Sequence, residues 1–335
     1  MITAGRTRAA IIGLGGTHLG AAEAAMLRET PPLGVILFAR NIGRPAQLRT
    51  LTAAIRHELG EDTPILIDQE GGRVARLRAP DWPGFPPAAS FEGRPAAAAH
   101  ANAALIGLEC RAMGLDVVCA PVLDLRLPEA HGVIGDRAFS ADPAEVTRLG
   151  RETLRGLQAA GCVPVIKHIP GHGRAMADSH LELPRVTATR EELAQDCVPF
   201  AALAGFGAWA MTAHILYDAL DADLPATLSA KVISRVIRGA IGFSGFLVSD
   251  DLAMKALTGR PAALAQASIT AGCDAVLHCT GNLDETTALL AGCPPLSEAA
   301  IARLAQSRIA TNTHREDLDP AALMALRDTG LVRAA

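Results

Sequence analysis

Val163-Pro-Val-Ile-Lys-His-Ile-Pro-Gly-His-Gly173 is an apolar run that turns charged and then ends in a Gly/Pro loop. A short run of this kind reads as a buried strand handing over to a loop. Five residues on stands Asp178-Ser-His180, so three histidines, one lysine and one aspartate fall within residues 167–180. A surface loop needs no such density of titratable groups for its stability. Asp178, two residues before His180, can orient its imidazole, stabilise the cation and raise its pKa toward neutrality, as proton transfer requires. Far downstream, Phe246-Leu-Val-Ser-Asp-Asp251 is a second apolar strand that closes on carboxylates.

Working outward, eight short apolar segments recur, at 9–14, 34–39, 64–68, 115–120, 163–167, 208–212, 246–250 and 274–279. They are apolar throughout rather than alternating, as strands buried on both faces of a parallel sheet are. Helix signals lie between them. Ser140-Ala-Asp-Pro143 opens one helix, with Pro143 near its first turn, and Thr189-Arg-Glu-Glu192 is a capping box before another. Eight strands alternating with helices predict an α/β fold, a (β/α)8 TIM barrel, with a doubly wound open sheet as the alternative. No linker divides the chain, so residues 1–335 are read as a single catalytic domain closed by a C-terminal helix at about 315–335. Residues 80–87 form a turn-rich loop.

The polar residues fall at strand ends. Asp68, Lys167, His168, His214 and Asp250 sit at or just beyond the C-terminal ends of proposed strands, as does the loop carrying Asp124, Asp136 and Arg137. In a barrel these ends share one face, the face that carries the active site. Asp250 and Asp251 should divide their roles, because neighbours on a strand point opposite ways. One enters the barrel mouth and the other caps the following turn. By the same rule Lys167 and His168 should diverge. A buried lysine needs a partner, such as substrate hydroxyls or a carboxylate like Asp124. Gly71-Gly72 predicts tight backbone geometry beside Asp68, and Glu70 and Arg73 are read as ion-paired.

Bulk properties exclude several functions. The 335 residues are 50% hydrophobic and carry a net charge of −4, without a basic stripe, and aromatics make up 3%. Nucleic acid is therefore not an expected partner. The seven cysteines form no C-x-x-C pair, and a reducing, cytoplasmic compartment is expected. No run approaches the ~18 apolar residues of a membrane span. Gly13-Leu-Gly-Gly16 lacks the dinucleotide-binding spacing, and Phe243-Ser-Gly245 is not a nucleophile elbow.

With these residues assembled, the chain resembles glycoside hydrolase family 3, in its branch of bacterial single-domain β-N-acetylglucosaminidases of cell-wall recycling. The resemblance runs from about Gly13 to Asn282. It rests on Gly34-Val-Ile-Leu-Phe-Ala-Arg-Asn41, Asp68-Gln-Glu-Gly-Gly-Arg73, Ala120-Pro-Val-Leu-Asp124, Ile134-Gly-Asp-Arg-Ala-Phe139, Lys167-His-Ile-Pro-Gly-His-Gly173, Asp178-Ser-His180, Met211-Thr-Ala-His214 and Ser249-Asp-Asp-Leu-Ala-Met254. The Asp178-Ser-His180 element distinguishes this branch from family-3 β-glucosidases, which take the acid from another domain. The resemblance implies Asp250 as nucleophile, His180 as general acid/base and Asp178 as its partner. It implies Asp68, Arg76, Arg137, Lys167 and His168 as binders of terminal N-acetylglucosamine, with Met254 near the pocket. It implies retaining exo-hydrolysis of a GlcNAc-containing muropeptide by a monomer, with no cofactor, metal, nucleic acid or membrane. Ile169 stands where a Phe is usual, and Leu125-Arg-Leu-Pro-Glu-Ala-His131 replaces an Asn-rich stretch. A different class of enzyme stays open on the residues alone: a metal-dependent barrel hydrolase using His168, His172, His180 and His214, with Asp178 alongside.

Overall fold

A computed structural model describes residues 2–130, 132–179 and 181–331. His131 and His180, both named above, lie outside the described residues, as do Met1 and residues 332–335.

Eight parallel strands close into a barrel. In chain order they are β1 (Arg8–Gly13), β2 (Pro32–Leu37), β3 (Ile65–Ile67), β4 (Val117–Val118), β5 (Val163–Ile169), β6 (Trp209–Thr212), β7 (Leu247–Asp251) and β8 (Ala275–His278). Each pairs with its neighbours in sequence, and β8 returns to pair with β1. All eight expected strands are present, and the (β/α)8 reading holds. A separate two-stranded parallel pair, Arg185–Val186 with Leu216–Tyr217, was not foreseen; two residues a side is too short for a periodic signal.

Burial explains the apolar runs. Strands β2, β3, β5, β6 and β8 are buried at every position, because barrel interior and helical layer cover opposite faces. Each fully buried Val, Ile or Leu contributes about 1.5–3 kcal/mol relative to an exposed one. Helices surround the barrel, and their starts follow the sequence signals. In the helix Pro143–Ala159, Asp142 accepts from the Ala144 amide and proline takes the first turn. In the helix Arg190–Leu203, Thr189 and Glu192 form the reciprocal capping box. The expected terminal helix runs over Pro320–Leu331 and packs on the helix Ala96–Ala112.

The N-terminal face of the barrel is held by ion pairs. Asp116 accepts from Arg56 and Arg111, both at 2.6 Å, and from the Ile65 amide, which ties the start of β3 to β4. The opposite face carries a different chemistry.

Candidate active site

The C-terminal strand ends enclose a cavity of about 270 Å³. Asp68, Arg76, Arg137, Lys167, His168, Asp178, Asp250 and Met254 all line it. Residues separated by more than 180 positions in sequence thus meet at one opening. Of the catalytic and sugar-binding residues the family resemblance implies, all but the undescribed His180 line this cavity, whereas His214, Asp124 and Asp136 do not.

Asp250 closes β7. Its Oδ1 accepts the Asp251 amide at 2.8 Å. Burial on its own would raise its carboxyl pKa, but His168, His214, the Asp251 N–H and Lys167 outweigh burial and hold it below the ordinary value. The result is an ionised carboxylate facing the cavity. Burial lowers the pKa of His214 itself. Asp251 takes the other role: its Oδ1 accepts the amides of Ala253 and Cys279, both at 3.0 Å, capping the next turn and fixing the end of β8. Burial pushes its pKa up. The division of labour expected for the pair holds, although Asp251 also lines the cavity rim.

Lys167 and His168 correct one expectation. They do not diverge; both line the cavity. The register between β5 and β6 slips between Lys167 and Ile169, inserting His168 as an extra residue. Such a bulge breaks strict alternation and re-aims a side chain. The Lys167 partner is also different. Its Nζ donates to Asp68 at 2.9 Å and lies 2.7 Å from Glu70, while Asp124 belongs to His168. Arg137 forks onto both oxygens of Glu70 at 2.9 Å, and Arg76 reaches Asp68 at 3.1 Å. Burial alone would raise the carboxyl pKa of Asp68; Lys167 and Arg76 outweigh it and hold the group far below its usual range. The salt bridge expected of Glu70 and Arg73 does not form between them: Glu70 pairs with Arg137 and Lys167, and Arg73 bonds Asp136 at 2.9 Å. Gly71 has φ +99°, and a Cβ there would meet the Pro86 carbonyl at 2.3 Å, which is the tight backbone that Gly71-Gly72 foretold.

This lattice suits a sugar. Asp68 can accept hydroxyls on its remaining lone pairs, and Lys167 and Arg76 can donate. The Nδ1 of His168 is taken by Asp124, so Nε2 remains for the cavity. His214 is not available in the same way: its ring nitrogens contact Thr227 Oγ1 at 2.7 Å and the Asp251 carbonyl at 3.0 Å. Among the described residues, no group of three or more His, Cys, Asp or Glu has the arrangement to hold a metal ion. His172, read from the sequence only as a possible metal ligand, also lines the cavity, as do Phe38 and Ser179, to which the sequence assigned no role. Their only signal was proximity to motifs already singled out.

Residues 13–312 match the glycosyl hydrolase family 3 N-terminal domain. The chain is 42% identical to a beta-hexosaminidase of Alkalilimnicola ehrlichii, over 88% of this chain and 87% of that one. It is 40% identical to a beta-hexosaminidase of Pseudomonas aeruginosa, over 84% and 85%. NagZ from Neisseria gonorrhoeae superposes with a TM-score of 0.86 at 30% identity, covering 98% of this chain and 99% of that one. A second structure of that protein holds N-trifluoroacetyl-D-glucosamine, with the same score and identity. A barrel with carboxylates and cations at its C-terminal mouth is the frame of a glycosidase. The chain belongs to glycoside hydrolase family 3.

Proposed function

We propose that this chain is a retaining exo-β-N-acetylglucosaminidase, built as one catalytic domain, that removes terminal N-acetylglucosamine. The convergence of Asp250, Asp68, Arg76, Lys167 and His168 on one cavity carries the reading. The beta-hexosaminidase relatives and the glucosamine derivative bound by the Neisseria protein support the substrate class.

In the first step an Asp250 oxygen bonds to the anomeric carbon as the glycosidic C–O bond breaks, and His180 gives its proton to the departing oxygen. Asp178 orients that imidazole and stabilises its cation. In the second step water attacks the same carbon, its proton passes to His180, and the Asp250 carboxylate is released. Asp68, Arg76, Lys167, His168 and Arg137 hold the sugar, and Met254 packs beside it. The leaving group is read as an anhydro-muramoyl peptide of the recycled cell wall, the compartment as the cytoplasm, and the working form as a monomer.

Hydrolysis of 4-nitrophenyl N-acetyl-β-glucosaminide, followed by proton NMR, tests this. Retention predicts β-configured N-acetylglucosamine as the first product. An α-configured first product, or no turnover of any N-acetylglucosaminide, would overturn it.

A further inference from the structure

The segment that carries Asp178 and Ser179 leaves the barrel at His172 and comes back to it. The His172 amide donates to Asp124 Oδ1 at 2.7 Å, the same carboxylate that fixes His168. Beyond it, Gly173 lies so close to the chain that a Cβ would meet the Leu125 carbonyl at 2.3 Å. The Arg174 Nε donates to Asp196 at 2.7 Å, and Ala175 is buried. The start of the loop is therefore rigidly seated. At its far end Ser179 makes two contacts. The His172 Nε2 lies 3.4 Å from Ser179 Oγ, and the Ser179 carbonyl accepts the Ala256 amide at 3.2 Å. Ala256 belongs to the turn that follows Asp250 and Asp251.

His172 and Ser179 are both 3% exposed. The imidazole Nδ1 is buried without a partner, so the Ser179 contact is the one polar contact of this ring among the described residues. An imidazole in such a place costs stability unless it serves something. The mechanism above leaves it unused.

We propose that His172 is a positioning residue: through Ser179 it fixes the end of the acid/base loop against the turn behind the nucleophile. The inference rests on the glycosidase reading. Ser179 immediately precedes His180, so whatever fixes the Ser179 peptide limits where the next residue can begin. The two contacts on Ser179 come from two different loops, one after β5 and one after β7. Sugar-binding His168, the loop and the nucleophile turn are thereby joined through Asp124 and His172.

The test compares S179A, S179T and H172Q with the unaltered enzyme on 4-nitrophenyl and methyl N-acetyl-β-glucosaminides, reading kcat/KM, which reports formation of the glycosyl-enzyme. General acid catalysis contributes roughly 10²–10⁴-fold and matters most when the leaving group is poor. Misplacing the acid should therefore lower kcat/KM for the methyl glycoside about 10-fold or more in S179A and H172Q, and for the aryl glycoside much less. S179T, which keeps the hydroxyl, should recover most of the loss. Equal losses on both glycosides, or no recovery in S179T, would overturn the inference and leave the glycosidase reading intact. If the unaltered enzyme turns over neither glycoside, the glycosidase reading itself is what fails.

Discussion

Asp124 and His168 form a buried pair, with Oδ2 of the aspartate 2.7 Å from the ring Nδ1. The other carboxylate oxygen accepts the backbone amides of His168 and His172. Burial alone would raise the Asp124 pKa, but the His168 and His172 contacts outweigh it and hold the group ionised. One carboxylate therefore fixes both the orientation of a cavity-lining histidine and the root of the loop beyond it. Asp124→Asn keeps the shape but trades one acceptor for a donor facing Nδ1. It should raise KM for N-acetylglucosaminides and cost about 1–3 kcal/mol of stability through the unsatisfied buried group. Steady-state kinetics and urea unfolding would check both; unchanged KM would remove His168 from sugar binding.

Asp250 and Asp251 are adjacent, yet substitution should separate them sharply. Asp250→Asn removes the group proposed to bond the anomeric carbon, and kcat should fall on the order of 10⁴-fold or more. Asp251→Asn keeps an oxygen to accept the Ala253 and Cys279 amides. It should cost at most about 2 kcal/mol of stability, as a weakened cap does, and retain most of kcat. The reverse ranking would reassign the nucleophile.

Lys167 is nearly fully buried between Asp68 and Glu70, at 2.9 and 2.7 Å. Lys167→Met preserves volume but leaves the two carboxylates with less compensation. Removing one partner of a buried ion pair typically costs about 3–5 kcal/mol. The urea midpoint should drop accordingly at pH 7 and the loss should shrink in acid, where the carboxylates can take protons. A pH-independent loss would show that packing rather than charge carries the effect.

Asp196 behaves oppositely to the cavity carboxylates Asp68 and Asp250. Burial pushes its pKa from 3.8 up to about 6, against the pull of Arg174, and its Oδ1 has no hydrogen-bond partner. The folded state binds this proton more tightly than the unfolded chain does. Ionising Asp196 therefore removes stability as pH rises from about 4 to about 6, and the loss is complete above that. At about 1.4 kcal/mol per pH unit, the span is worth about 3 kcal/mol. Asp196→Asn has no proton to lose, so its stability relative to the unaltered protein should improve by up to that amount between pH 4 and pH 7. A constant difference across this range would contradict the assignment.

Much of this was legible in the sequence, for a physical reason. A barrel strand buried on both faces must be a continuous apolar run, and polar residues can then appear only at its end, so Asp68, Lys167 and Asp250 mark both the strands and the site. Pairings were less legible. Nothing in the sequence announces that His168 is a bulge residue, and simple alternation sent Lys167 and His168 to opposite sides. Asp124 and Lys167 both lie at strand ends, but Asp68 and Glu70 are the partners the barrel brings within reach of the lysine. Strand β4 is confined to Val117–Val118 within the expected 115–120, and the Ala120 amide turns back onto the Val118 carbonyl instead of crossing to a neighbouring strand. Tertiary placement of this kind is set by register and bulges, which no local pattern records.

The central claim is that the Asp250 carboxylate becomes covalently bonded to the sugar. It is tested most directly by incubating the protein with a fluorinated, slowly hydrolysed N-acetylglucosaminide and mapping the label by peptide mass spectrometry. The account predicts one sugar per chain, on the peptide containing Val248-Ser-Asp-Asp-Leu-Ala-Met254 and on Asp250 within it. A label on Asp251 or elsewhere, or turnover of the reagent with no labelled peptide at any time, would contradict it.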